Sequence, residues 1–126
     1  MINIYEAVVI LFLHWIFDFV LQTDEQGKNK SSDFNVLLEH VFLYSWFWCI
    51  PLIIYAIMKQ GSGILVLFIP ITFICHGIID YCTSRVGKRL LQKAELTKNH
   101  HNFFVNIGFD QWLHQAQLLI TFYLLT

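Results

Sequence analysis

Hydropathy divides the chain into four apolar stretches, Ile4 to Leu21, Val36 to Met58, Ile64 to Cys82 and Phe103 to Leu125. Each is close to the roughly 20 residues that an α-helix needs to cross the hydrocarbon of a bilayer. With 56% hydrophobic and 13% charged residues among 126, the chain is too apolar for an ordinary soluble domain. The expected fold is all-α: one domain over residues 1–126, a polytopic membrane protein built as a bundle of four transmembrane helices.

The intervening segments read as loops. Gln22 to Asn35 is rich in Asp, Lys, Gly, Ser and Asn, Lys59 to Gly63 is short, and Arg85 to His101 is the most charged stretch. Lys28 and Lys30 lie in the first loop, and Arg85, Lys88, Arg89, Lys93 and Lys98 in the third, against Lys59 alone in the second. The positive-inside rule therefore places loops 22–35 and 85–101 in the cytoplasm and both termini outside. The first stretch has no basic leader and no small-residue cleavage site, so it is expected to stay in the mature protein. Pro51 and Pro70 predict kinks in the second and third helices.

A net charge of −1, with no glycine-rich phosphate loop and no zinc-finger spacing, gives nucleic acid nothing to bind. Cys49, Cys75 and Cys82 all fall in apolar stretches and read as small buried thiols rather than a disulfide framework. Trp15, Trp46, Trp48 and Trp112 read as lipid-facing or core-filling residues, and His100-His101 as a solvated pair at the membrane edge.

An ionisable side chain at the bilayer centre costs about 2.5–3.5 kcal/mol on insertion, so each needs a partner or a task. Here they recur. His14, Asp18 and Gln22 follow one another every four residues on the first helix, His76 and Asp80 repeat that spacing on the third, and Asp110 and His114 reverse it on the fourth, beside Gln111. The second helix adds Glu39 and His40. With about 1.5 Å of rise per residue, His14, His40, His76 and Asp110 all lie roughly 7–15 Å below the inner boundary, where side chains from four helices can converge.

The motif also repeats. His14-Trp15-Ile16-Phe17-Asp18-Phe19 and His76-Gly77-Ile78-Ile79-Asp80-Tyr81 share the pattern H-x-I-x-D-aromatic, and each leads through a basic loop to a helix carrying another histidine. The chain thus reads as two parallel-repeat helical hairpins, an arrangement that commonly places its site at the repeat interface.

Neutral imidazole and carboxylate oxygen form a usual donor set for zinc, iron or manganese, and facing helices of a bundle can present them together. His14, Asp18, His40, His76, Asp80, Asp110 and His114 are the candidate ligands of one or two divalent ions, zinc first and iron or manganese as alternatives. The competing reading is that these groups are interhelical hydrogen-bonding glue. Gln22, Glu39 and Gln111 are candidates to orient the ligands. Lys28, Lys30 and Arg85 are candidates to engage anionic headgroups or substrate, although basic loop residues also simply set topology.

The series His14-x-x-x-Asp18-Phe19-x-x-Gln22, a lysine at 28 or 30, His40, His76-x-x-x-Asp80 and Asp110-Gln111-x-x-His114 resembles a family of small bacterial and phage membrane proteins catalogued as a domain of unknown function. A basic residue soon after the second H-x-x-x-D belongs to that pattern; Arg85 is the nearest match here, after Cys82, Thr83 and Ser84. The resemblance spans nearly the whole chain and implies a multi-pass protein of the bacterial inner membrane, without supplying a chemistry.

Chemistry comes from the cluster. The leading expectation is a metal-dependent hydrolase acting at the cytoplasmic leaflet on a lipid, lipid-linked or membrane-peptide substrate, as a monomer or a homodimer. The alternatives are a cation or proton conductor, a haem-binding bundle, and a non-catalytic phage or bacterial interaction protein.

Overall fold

The computed structural model describes residues 2–59 and 63–126. They form six α-helices: α1 (Ile4–Trp15), α2 (Asp24–Asn29), α3 (Phe34–Phe47), α4 (Cys49–Met58), α5 (Phe68–Thr97) and α6 (His101–Leu125). A π-helical segment, Ile16–Val20, extends α1, and a 3-10 segment, Gly63–Leu67, leads into α5. No strand occurs among the described residues.

Local chemistry sets the helix starts. Asn3 and Glu6 form a reciprocal capping box at α1, with bonds of 2.9 and 3.0 Å, and Thr23 and Gln26 form another at α2. Asp33 accepts from the Asn35 amide at 2.8 Å to open α3. The expected loop 22–35 therefore holds a short helix, signalled by Thr23-x-x-Gln26.

The expected loop 85–101 is corrected more strongly, because α5 runs on to Thr97 and the chain reverses only at Lys98, whose φ of 57° is left-handed. Gly87, Leu90, Leu91 and Ala94 keep helical spacing beneath the charges, so the charge run is one face of a helix. At 30 residues, α5 is about 45 Å long, well beyond the ~30 Å of hydrocarbon. The predicted segment Lys59 to Gly63 lies outside the described residues at 60–62.

Pro51 interrupts the hydrogen bonding of the second apolar stretch. It lacks the N–H that would bond the Phe47 carbonyl, and the helix breaks at Trp48 between α3 and α4. Pro70 does not kink a helix: it sits in the first turn of α5, where its missing N–H removes no intrahelical bond.

Helix α5 packs against α3 and α6, α6 also meets α1, and α2 rests on α3. Gly87 permits the close approach of α5 to α6, since a Cβ there would come within 3.1 Å of Asn106 Nδ2. An apolar core of Ile10, Trp48, Leu52, Phe68, Leu118 and Phe122 fills one part of the bundle, with Trp48 packed edge-on against Phe17 at 5.3 Å and tilted against Phe68 at 5.4 Å. Apolar residues cover the outside as well, including Phe12, Trp46, Ile53, Ile78, Trp112 and Tyr123, each more than half exposed. The stretches Phe34–Met58 and Leu65–Thr97 are long and apolar enough to cross a membrane.

Candidate metal centre

Polar side chains are buried as deeply as the apolar core. His14, Asp18, His40, His76, Asp80 and His114 are each at most 4% exposed. Asp18 sits in the π-helical turn, whose widened 21→16 backbone bond ends the helix just beyond it. The expected stripe consequently stops at Asp18. Gln22 follows the helix end and packs on Gly27 of α2, which corrects its expected place in line with His14 and Asp18.

Four ligand atoms from two helices, α3 and α5, and the π segment converge. His40 Nε2 lies 3.1 Å from Asp18 Oδ1, 3.2 Å from Asp80 Oδ2 and 3.3 Å from His76 Nε2. His76 Nε2 lies 3.6 Å from Asp18 Oδ1 and 3.5 Å from Asp80 Oδ2. One imidazole N–H cannot serve three neighbours at once. A tetrahedron around an ion with 2.0–2.1 Å bonds has edges of about 3.3–3.4 Å, so these five separations fit an N2O2 donor set. The residues can hold a metal ion.

Asp110 and His114 join Asp80 in an adjacent group, with His114 Nε2 3.4 Å from both Asp80 Oδ1 and Asp110 Oδ1. Asp80 thus offers one oxygen to each group. The sequence repeat is visible in this geometry: Asp18 of the first hairpin reaches His76 of the second, and Asp80 of the second reaches His40 of the first.

Lys30 caps the cluster from the first loop, donating to Asp80 Oδ2 at 2.9 Å. Burial pushes its ammonium pKa down, but the carboxylates of Asp80 and Asp18 outweigh that and hold it above the ordinary lysine value. With neutral imidazoles, the three carboxylates of Asp18, Asp80 and Asp110 against this one ammonium leave two negative charges uncompensated, which a divalent cation matches.

His14 stands outside both groups, a correction to its expected role. Its Nε2 donates to Gln111 Oε1 at 3.0 Å, which leaves Nδ1 to accept from the Tyr44 hydroxyl at 2.9 Å. The Gln111 amide then donates to Asp110 Oδ2 at 2.9 Å and reaches Asp18 Oδ2 at 3.5 Å. Gln111 therefore holds the Asp110 carboxylate, and His14 and Tyr44 support it. Tyr44, buried and stacked on His76 at 3.9 Å, is a residue that sequence reasoning missed, though it lies four residues after His40 on the same face. Thr83, three residues after Asp80, was missed too; its hydroxyl bonds Asp110. So was Gln26, buried and donating to Glu39 at 3.3 Å.

The remaining expected residues divide. Glu39 is exposed and ties α3 to α2 through Gln26 rather than reaching the cluster. Lys28 is exposed and pairs with Asp24 at 3.9 Å. Arg85 turns away: it lies 3.7 Å over the Tyr81 ring and donates to the Tyr81 carbonyl at 3.0 Å. A cavity of about 490 Å³ instead opens onto the cluster beside Lys30 and Lys88, with Asp80 and Asp110 at its polar end and Leu91, Phe103 and Ile107 on its walls. His100 and His101 are exposed. The four cluster imidazoles pack on one another, with centroids 4.2 Å apart for His76 and His114 and 5.3 Å for His40 and His76, unlike ligands spaced across a flat macrocycle.

Comparison with curated proteins and with solved structures finds no match. A family model described as a protein of unknown function, DUF3307, matches residues 7–126, nearly the full chain, and the protein belongs to that family.

Proposed function

We propose that this is a four-span membrane protein that holds a divalent cation between Asp18, His40, His76 and Asp80, and that it is a metal-dependent hydrolase of the cytoplasmic leaflet. Zinc suits the N2O2 set best; iron and manganese are the alternatives. The observation that carries the reading is the convergence of four buried donor atoms at 3.1 to 3.6 Å. The apolar outer faces of α1 and α6, with Val8, Phe12, Phe109 and Trp112 exposed, support two further spans beside the two long apolar stretches.

A divalent ion held by this cluster would supply Lewis-acid polarisation of a carbonyl or phosphoryl oxygen only at a coordination position that the protein donors leave open. The chain supplies the rest. Lys30 and Lys88 present cations to an anionic head, and Leu91, Phe103 and Ile107 line an apolar wall for the attached chain. That combination favours a lipid or lipid-linked substrate. Conduction has less support, because the layer of Ile10, Leu52, Phe68 and Phe122 closes the bundle with apolar side chains.

The test is turnover by purified protein in vesicles carrying acyl-ester, phosphate-ester and peptide probes. Hydrolysis of one class is expected, lost on chelation, restored by added metal, and absent in Asp18→Asn of unchanged helix content. Turnover that survives thorough chelation would contradict the proposal, as would no turnover of any class by metal-loaded protein.

A further inference from the structure

The second group of donors, Asp80, Asp110 and His114, differs from the first in ways that bear on what it does. His114 is fully buried, yet neither of its ring nitrogens has a hydrogen-bond partner. Its Nε2 sits 3.4 Å from two carboxylate oxygens without the geometry of a bond to either. A buried imidazole left so between two acids costs stability unless something positive lies between them. Both acids are held for the purpose: Asp110 accepts from Thr83 on Oδ1 and from Gln111 on Oδ2, and Asp80 turns Oδ1 here while Oδ2 faces His40 and His76.

We infer that Asp80, Asp110 and His114 form a second divalent-cation site, bridged to the first through the two oxygens of Asp80. This inference rests on the metal reading of the first group. The two sites divide the labour. The first has four protein donors, as closed sites do, whereas the second has three, which leaves a coordination position for an outside ligand. That position faces the cavity, since Asp110 is 17% exposed and lines it together with Asp80. Charge identifies the outside ligand. With Lys30 already counted, one divalent ion cancels the deficit of the cluster, and a second makes it positive beside Lys88, so the second ion binds together with an oxyanion, of which phosphate is the simplest.

The experiment is a titration of chelator-stripped protein in detergent with Co(II), followed by visible absorption and by magnetic coupling between the ions, with and without inorganic phosphate. Two equivalents are expected, the second at least about tenfold weaker than the first because the ions repel, and tightened by phosphate. Asp110→Asn should keep the first equivalent and lose the second together with the coupling signal. His114→Asn gives the same comparison should Asp110→Asn lose its helix content. A wild type that stops at one equivalent in phosphate overturns the second site and leaves the first standing, and so does an Asp110→Asn or His114→Asn protein that still binds two. No binding at all overturns both. A phosphatidic acid vesicle in place of free phosphate tells whether the oxyanion is drawn from a lipid headgroup or from solution.

Discussion

Replacing Lys30 by Met removes the one ammonium inside the cluster, and its consequence can be worked from the structure. Lys30 Nζ is 2.9 Å from Asp80 Oδ2, and the two side chains are 16% and 2% exposed, so solvent screens the pair little. At an effective dielectric near 20 the attraction is roughly 6 kcal/mol before desolvation, and breaking a buried pair from one side costs about 3–5 kcal/mol. Lys30→Met should destabilise metal-free protein by about that much, Asp80→Asn should cost less because it also relieves repulsion among the buried carboxylates, and the double variant should lose clearly less than the sum, with a coupling near 2 kcal/mol. The assay is denaturant unfolding in detergent micelles with chelator present, so that metal loss does not confound the cycle. The stabilisation has a defined pH range: because the folded pKa of Lys30 is raised, it is full below the ordinary lysine value of 10.5 and falls away as pH climbs through the higher folded value. Additivity within about 0.5 kcal/mol would refute the pairing of these two groups.

Other perturbations probe separate parts of the account. His14→Ala should leave bound metal near the wild-type amount, measured by elemental analysis, because His14 serves Gln111 and Tyr44 rather than an ion. Tyr44→Phe leaves the His14 Nδ1 acceptor buried without its donor and should cost about 1–3 kcal/mol in the same unfolding assay. In a background with Cys49, Cys75 and Cys82 changed to Ala, Lys88→Cys should react with an impermeant maleimide only from the cytoplasmic side and Lys59→Cys only from the other. Gly87→Leu should force α5 from α6 and lower the unfolding midpoint, since even a Cβ would meet Asn106 at 3.1 Å.

Period and burial cost made much of this site legible in the sequence. An H-x-x-x-D pair on a helix must share a face, and an Asp or His in an apolar stretch must find company, so Asp18, His40, His76, Asp80, Asp110 and His114 could be chosen without coordinates. They meet in the structure as two groups that could hold a metal ion. What failed was anything that depended on local departures from the period. The π turn at 16–20 cuts Gln22 out of the stripe, and nothing in Ile16-Phe17-Asp18-Phe19-Val20 announces it. His14 fits the motif as well as His76 does, and only the approach of Gln111 and Tyr44 from other helices takes both of its nitrogens. Charge density misled at 85–97, where the apolar spacing beneath the lysines was the better guide. Arg85 shows the same limit at the scale of one side chain: position after Asp80 suggested the site, whereas the ring of Tyr81, one turn back, captures it.

The central claim concerns what the four converging donors hold, and metal content tests it most directly. Wild-type protein and His76→Ala, purified in detergent without chelator and matched for helix content, are analysed for zinc, iron and manganese per chain. At least one ion per chain in the wild type, and a large loss in His76→Ala, is the expected result. A wild type carrying no stoichiometric metal, even after incubation with each ion and removal of the excess, would contradict the account.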